Sequence, residues 1–454
     1  MTLSNAEIAS ELERTLAPLG SVPLHQKLLN EPSIASLRRS RHPRGADAIG
    51  IITLLDIDGV LVWEDGPVNA TTSVTRRRRA GTAAGGDVVT QLKFTKPLGT
   101  NETARMLSAL DEALTGPRPA TLRRWEKKDD AWKADEVEKA GAKGPILLII
   151  HGAFSKGGSL MADLTGTAAE PNASGRAFLD TCAKHYAEIL TFDHHTVSHG
   201  PVLNAIALSR AFESTSADVD VICHSRGGLV ARWWCEVLDL QCSKHTHSDG
   251  GQRQRRVVFV GSPMQGTSLA DPQSLRNGLN LLSNVGRVLG GTCQLIPLLT
   301  AAGGLMQVLS SIGSLAARGP IVDAGVAMIP GIAAMSRTVN NYELQALNRG
   351  PVNVALTYFG VTSDFEPPAT GWKFWRLFSK GRLADVAADY LVFDQANDLV
   401  VDTSSMTHHA FGDAVEPGKH PDRFKVFDRE QGVHHVSYFQ RKETIEFIAQ
   451  CFGL

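Results

Sequence analysis

Cross-linkable cysteine, net charge and a leader-like start are what this chain has little of. Its six cysteines (Cys182, Cys223, Cys235, Cys242, Cys293 and Cys451) show neither CxxC pairing nor a framework spacing, which argues against a disulfide scaffold and for reduced, mostly buried thiols. Lysine plus arginine (46) nearly cancel aspartate plus glutamate (47), a formal charge of −1, so no long-range field exists to gather nucleic acid. His151, His194, His195, His408 and His409 lack a metal-ligand spacing such as HExxH, and neither metal nor cofactor is expected. The first residues carry Glu7, Glu11 and Glu13 and no basic start followed by an apolar run; no secretory signal is visible, and a cytoplasmic location is expected.

What remains is an ordinary globular composition, 43% hydrophobic and 20% charged, in 454 residues. At about 150 residues per compact unit, two or three units fit, as would one enlarged domain with an extension. Residues 1–140 read as an N-terminal extension or small α+β domain. There a short helical pattern and a basic arm precede two apolar runs split by an Asp58-Gly59 turn signal, as in a hairpin. Val88 to Phe94 is a further strand candidate, and Asn101 caps an amphipathic helix through Met106, Leu107, Leu110 and Leu114. Arg76 to Arg79 reads as a solvated loop rather than a phosphate site, and Arg123 to Lys143, with both charge signs interspersed, as an exposed helix and linker.

From Pro145 short apolar strands alternate with helix-length segments, the pattern of right-handed crossovers and a parallel sheet, so residues 141–454 are expected to form an α/β layer. A Gly-rich stretch with no charge from Val288 to Ala317 interrupts it. Its length would allow a membrane span, but Gly290, Gly291, Pro297, Gly303, Gly304 and Gly313 break the run. A helical cap or lid over about 268–340 is expected instead, with adsorption to a lipid interface as a further option.

The chemistry concentrates in "VDVICHSRGGLVARWW", Val219 to Trp234. An apolar strand ends at Ile222; Ser225 follows with Gly227 and Gly228 beside it, and a helical pattern begins. A serine wedged there suits a nucleophile elbow, because a tight strand-to-helix turn tolerates little bulk nearby. Cys223 stands where a G-x-S-x-G pattern would have its first glycine, and a plain helix N-cap is the competing reading. The strand Ile146 to Ile150 runs into His151-Gly152, a loop able to aim a backbone N–H at a developing oxyanion; the expected donors are Ala153 (or Phe154) and Arg226, against an ordinary glycine turn.

A serine needs a base and an orienting carboxylate. Asp394, Asp398 and Asp402 follow in the chain, then His434 and His435. Asp398 is preferred, since it follows the apolar segment Tyr390 to Phe393 and precedes Leu399-Val400-Val401; Asp394 is second. His435 is preferred over its neighbour because it opens the stretch towards Tyr438 and Phe439.

With "HGAFS", "CHSRGGLVAR", "VGSPMQGTSLAD", "NDLVVDTSSM" and "GVHHVSYF" in this order, the chain from about residue 144 to 454 resembles the α/β-hydrolase superfamily, in particular bacterial triacylglycerol lipases and the inositol-deacylase-type branch. The resemblance implies a mostly parallel sheet flanked by helices, a triad of Ser225, Asp398 and His435, oxyanion amides at Ala153 and Arg226, and a helical lid beginning near Leu279. It implies hydrolysis of a small-molecule or lipid ester, with amide or acyl-transfer chemistry on the same triad and a non-catalytic scaffold as alternatives. Ser437 stands where several secreted lipases have a calcium-binding aspartate, so no calcium site is implied. The oligomeric state is left open.

Overall fold

In a computed structural model, Ile146–Ile150 forms β7, a strand buried on both faces at the centre of the larger of two sheets. The structure describes residues 3–24, 49–67, 86–96, 100–141, 143–215, 217–238, 255–271, 275–288, 292–312, 329–337, 341–349, 356–365, 396–407 and 418–454. The chain divides into two compact units, each assembled from separated segments: Met1–Leu114, Pro272–Met328 and Ala369–Val392 in one, Thr115–Asp271, Ile329–Pro368 and Phe393–Leu454 in the other.

The first unit holds a four-stranded sheet of β1 (Val22–Pro23), β2 (Ile49–Ile57), β3 (Val60–Asp65) and β4 (Asp87–Thr95), in the order β1-β4-β2-β3 and antiparallel throughout. The expected hairpin is present: Asp58 (φ 53°) and Gly59 (φ 87°) make the two-residue turn that suits the strands' twist. The helix expected to be capped by Asn101 spans Thr100–Thr115, so Asn101 lies inside it.

The segment expected as a lid supplies the helices Leu275–Val288 and Thr292–Ile312, and both belong to this first unit. Asn284 accepts the Leu61 N–H at 2.8 Å and donates to the Leu61 carbonyl at 2.8 Å, and Asn280 accepts the Trp63 N–H at 2.9 Å. The side chains of one helix thereby pair with the edge strand β3 and cover backbone groups that would otherwise template further strands. The long helix carries no charge because it is buried over most of its surface. Gly304 is needed there, since a Cβ would sit 2.6 Å from Leu110. Among the described residues no helix is long and apolar enough to cross a membrane.

The second unit is built on an eight-stranded sheet, β12-β11-β10-β9-β7-β8-β5-β6. The remaining strands are β5 (Ala120–Lys128), β6 (Ala131–Val137), β8 (Glu188–His194), β9 (Val219–His224), β10 (Arg255–Val260), β11 (Leu356–Ser363) and β12 (Phe424–Phe427). From β12 to β8 every neighbour is parallel; β5 joins β8 antiparallel and β6 joins β5 antiparallel. This is the expected α/β layer. Alternate residues of β7, β9 and β10 feed two cores: Leu148, Val221, Cys223 and Phe259 on one face, Leu147, Ile149, Ile222 and Val260 on the other.

Arg123 to Lys143, expected as helix and linker, is largely a hairpin of this sheet, and the unit begins at Thr115 rather than near Gly141. Asp129 (φ 53°) and Asp130 (φ 61°) form its two-residue turn. Its interspersed charges sit on half-exposed strands at the sheet's margin, where ion pairs such as Lys128 to Asp135 at 2.8 Å replace a buried face.

Candidate active site

The next two strands in the chain, β8 and then β9, flank β7 on opposite sides, and in open α/β sheets the carboxyl ends at such a switch are where ligand-handling loops gather. Both motifs sit there. β9 ends at His224, Ser225 follows with φ 53°, and the helix Gly227–Arg232 begins at once. The Ser225 N–H donates to the Val260 carbonyl at 2.9 Å, and its own carbonyl accepts from Gly228 at 2.9 Å. A Cβ at Gly227 would lie 2.6 Å from the carbonyls of Ile150 and His151, and one at Gly152 would lie 2.7 Å from Ser225 Cβ. Bulk is thus excluded on both sides of the serine. Cys223 points into the core on the opposite face of β9 from His224, which is why a small thiol is accommodated there.

After β7, the His151 ring accepts the His194 N–H at 3.0 Å and lies 2.8 Å from the Gly152 carbonyl, so His151 carries its proton on Nδ1. It stacks on His194, centroids 4.0 Å apart. Burial, then His151 and Arg226, depress His194 well below the usual histidine range, so His194 adds no positive charge of its own. Phe154 has φ 58°, and its N–H is taken by Thr196 Oγ1 at 3.2 Å. Of the two alternative donors in this loop, Ala153 is therefore the one whose N–H engages no described residue. Gly157 N–H donates to Asp193 Oδ1 at 2.6 Å and fastens the loop's far end to β8. Arg226, next after the serine, is buried and its guanidinium donates to the His199 carbonyl.

Asp398 is wholly buried. Its Oδ1 accepts the N–H of Val400 (3.1 Å) and Val401 (2.8 Å); its Oδ2 accepts His435 Nδ1–H (2.8 Å) and the Tyr438 hydroxyl (2.9 Å). Burial alone would raise this carboxyl, but the charge and hydrogen bond of His435, with the Val401 and Val400 amides, more than offset it and hold it below the usual carboxylate range. A carboxylate can only accept, so the His435 proton sits on Nδ1 and Nε2 is left as the basic atom. The His435 N–H also donates to the Asp398 carbonyl at 2.9 Å.

The residue that ties this pair to the serine turn is His224. Its Nε2–H donates to the His435 carbonyl at 2.9 Å, and the two rings lie 4.8 Å apart, tilted by 40°. Burial, then His435, push His224 down to about 3, so it is neutral at physiological pH. No described hydrogen bond joins the Ser225 hydroxyl to His435; in unliganded enzymes such contacts are often long and tighten on substrate binding.

Of the competing residues, Asp402 is a pin: it accepts from Ser268 N–H at 3.1 Å and pairs with Arg337 at 3.2 Å. His434 packs edge-on against Phe365, with its N–H on Ser437 Oγ at 2.9 Å. Asp394, with Tyr390 to Phe393, lies outside the described residues, as do His408, His409 and Arg76 to Arg79. Sequence reasoning missed His224, Tyr438 and Thr196 as supports. Only His224 carried a local signal, its even-numbered register with Asp220 and Ile222 on β9, which turns it towards the face occupied by His435.

These features define an α/β protein with a strained strand-to-helix serine and a buried aspartate–histidine pair at the carboxyl ends of its sheet. The chain belongs to the family described as a domain of unknown function, DUF7379, matched over residues 113–453. No curated protein matches the chain. Among solved structures it is similar to lipase 1 from Pelosinus fermentans, at 13% identity over 68% of this chain and 99% of that one, with a TM-score of 0.38. It is also similar to the mature Bacillus licheniformis lipase BlEst2, at 11% identity over 70% and 95%, TM-score 0.35, and to a bacterial membrane phospholipase A, at 12% over 77% and 91%, TM-score 0.33. Overlaps this partial define no activity for the chain.

Proposed function

We propose that the second unit is a serine hydrolase that cleaves carboxylic esters through an acyl-enzyme. The observation that carries this reading is the buried Asp398–His435 pair, whose base is tied through its own carbonyl to His224, the residue before a serine held at φ 53°. In this reading the Ser225 hydroxyl attacks the ester carbonyl while His435 Nε2 takes its proton, and Asp398 stabilises the imidazolium. The N–H groups of Ala153 and Arg226 receive the oxyanion; Phe154 serves less well, its N–H being taken by Thr196. His435 returns the proton to the leaving alcohol, then activates the water that releases the acid.

A fluorophosphonate probe tests the assignment. Labelling of Ser225, lost in Ser225→Ala at unchanged thermal stability, is the expected result. Labelling that persists in that variant, or no labelling of the native chain, would overturn it. p-Nitrophenyl esters of short and long acyl chains, set against matched anilides, then separate esterase, lipase and amidase activity, while a scaffold turns over none of them.

A further inference from the structure

We propose that Tyr438 is a positioning residue that weakens the hold of Asp398 on His435, setting the pH at which the base becomes active. The proposal rests on the serine hydrolase reading for its catalytic meaning, but its geometry stands on its own.

Tyr438 Oη and His435 Nδ1 converge on one oxygen, Asp398 Oδ2, at 2.9 and 2.8 Å. The other oxygen is already used by two backbone amides, so every strong acceptor direction of this carboxylate is engaged. The ring is fully buried, lies beside Phe427 and has Met406 Sδ 3.6 Å from its hydroxyl. The approach is built into the backbone. Gly261, with φ 56°, follows β10, and a Cβ there would fall 2.8 Å from Tyr438 Cε2, 3.1 Å from Asp398 Oδ2 and 3.3 Å from His435 Nδ1. One residue after the carbonyl that holds Ser225, the chain leaves room for all three side chains.

A hydroxyl donating to Oδ2 stabilises the carboxylate charge and so reduces how strongly that charge favours an imidazolium beside it. The base is then neutral, and active, at lower pH than an aspartate–histidine pair without the third partner. Burial, then the Asp398 charge, push the Tyr438 hydroxyl far above its ordinary range, so it stays a donor throughout. Among the described residues, the other titratable groups facing the pair are His224 on β9, pushed down to about 3, and His434 on the same loop, pushed down to about 4 by burial and Arg441. Neither changes charge in the neutral range, where an acid limb is measured.

The test uses the full chain and Tyr438→Phe, which keeps the ring and removes one oxygen. With a p-nitrophenyl ester, the acid limb of kcat/KM is expected to move to higher pH by roughly half a unit to one unit, with KM nearly unchanged. The His435 Nδ1–H proton resonance, identified by its loss in His435→Gln, is expected to move downfield as its bond to Oδ2 strengthens. Turnover with an unmoved limb and an unmoved resonance overturns the proposal and leaves the hydrolase reading intact. A moved resonance in a chain that neither turns over esters nor labels at Ser225 keeps the Tyr438–Asp398–His435 linkage and overturns the hydrolase reading. A limb that moves to lower pH refutes the direction argued.

Discussion

Replacing His224 by leucine removes one hydrogen bond, and its cost follows from where that bond ends. The His435 carbonyl it serves is buried and accepts from His224 Nε2 at 2.9 Å. Leaving a buried acceptor without a donor costs about 1–3 kcal/mol, so a stability loss of that order is expected in urea or thermal unfolding. The effect on rate has a separate source: the bond joins the residue before Ser225 to the backbone of the base. Letting the imidazole drift by about 1 Å costs on the order of 100-fold in rate. For His224→Leu, kcat is therefore expected to fall about 10- to 100-fold with KM within about twofold, because no substrate-binding group is touched. Glutamine carries an N–H at a reach close to that of Nε2, so His224→Gln should recover most of kcat. Active-site titration with the fluorophosphonate separates slow enzyme from unfolded enzyme. If glutamine is as poor as leucine, or if the loss falls on KM, the tie is not what aligns the base.

Thr196→Val keeps the shape beside Phe154 but removes the acceptor of its N–H; kcat for an ester is expected to drop about 10-fold or more with unchanged KM, and an unchanged kcat would show that Thr196 does not fix the Ala153 amide. In the first unit, Asn284→Leu strands both backbone groups of Leu61 and should cost about 2–4 kcal/mol in unfolding experiments, while esterase activity at a temperature where the variant stays folded is retained. Acid stability follows from three histidines kept neutral by burial: His194 well below the usual histidine range, His224 at about 3 and His434 at about 4. Their folded values lie below the unfolded one, so their contribution is complete above about pH 6.5 and is lost as pH falls, at up to about 1.4 kcal/mol per pH unit for each. Thermal stability should therefore fall steeply from pH 6.5 towards 4, and His224→Gln should flatten the slope by one proton; an unchanged slope would refute the assignment.

The parts of this site that were legible in the sequence are those whose cause is local. A strand, a small turn and a helix within sixteen residues announce Ser225, and apolar flanks single out Asp398. The supports were hidden because their partners are distant: His224 and His435 are 211 positions apart, and nothing near either predicts the other. The assignment of the helices Leu275–Val288 and Thr292–Ile312, expected as a lid, to the first unit was hidden for a related reason. The uncharged, glycine-bearing run of the second helix says that it will be buried, but not in which unit, and here the chain returns to a sheet begun more than two hundred residues earlier. The Ala120–Val137 hairpin was missed because its half-exposed strands show charges on both faces, which blurs the two-residue period.

Backbone strain offers a further test of how the site is held. Among the described residues, six that are not glycine have positive φ. Asp58, Asp129 and Asp130 sit in two-residue hairpin turns, where aspartate tolerates the conformation. The other three are Ser225, Phe154 and Leu399, one on each segment of the candidate site. For leucine, φ 85° costs about 1–3 kcal/mol, and glycine would adopt it freely. Leu399 nevertheless lies wholly buried beside Asp398, with its N–H on Asn397 Oδ1 at 2.9 Å. Burying a leucine is worth about 1.5–3 kcal/mol, and a vacated cavity adds to the loss, so packing outweighs the strain it maintains. Leu399→Gly should thus be less stable than the native chain by about 1–3 kcal/mol, the relief of strain notwithstanding, since glycine also loses more chain entropy on folding. A Leu399→Gly chain that melts higher than the native one would mean that the turn presenting Asp398 is held by its hydrogen bonds alone.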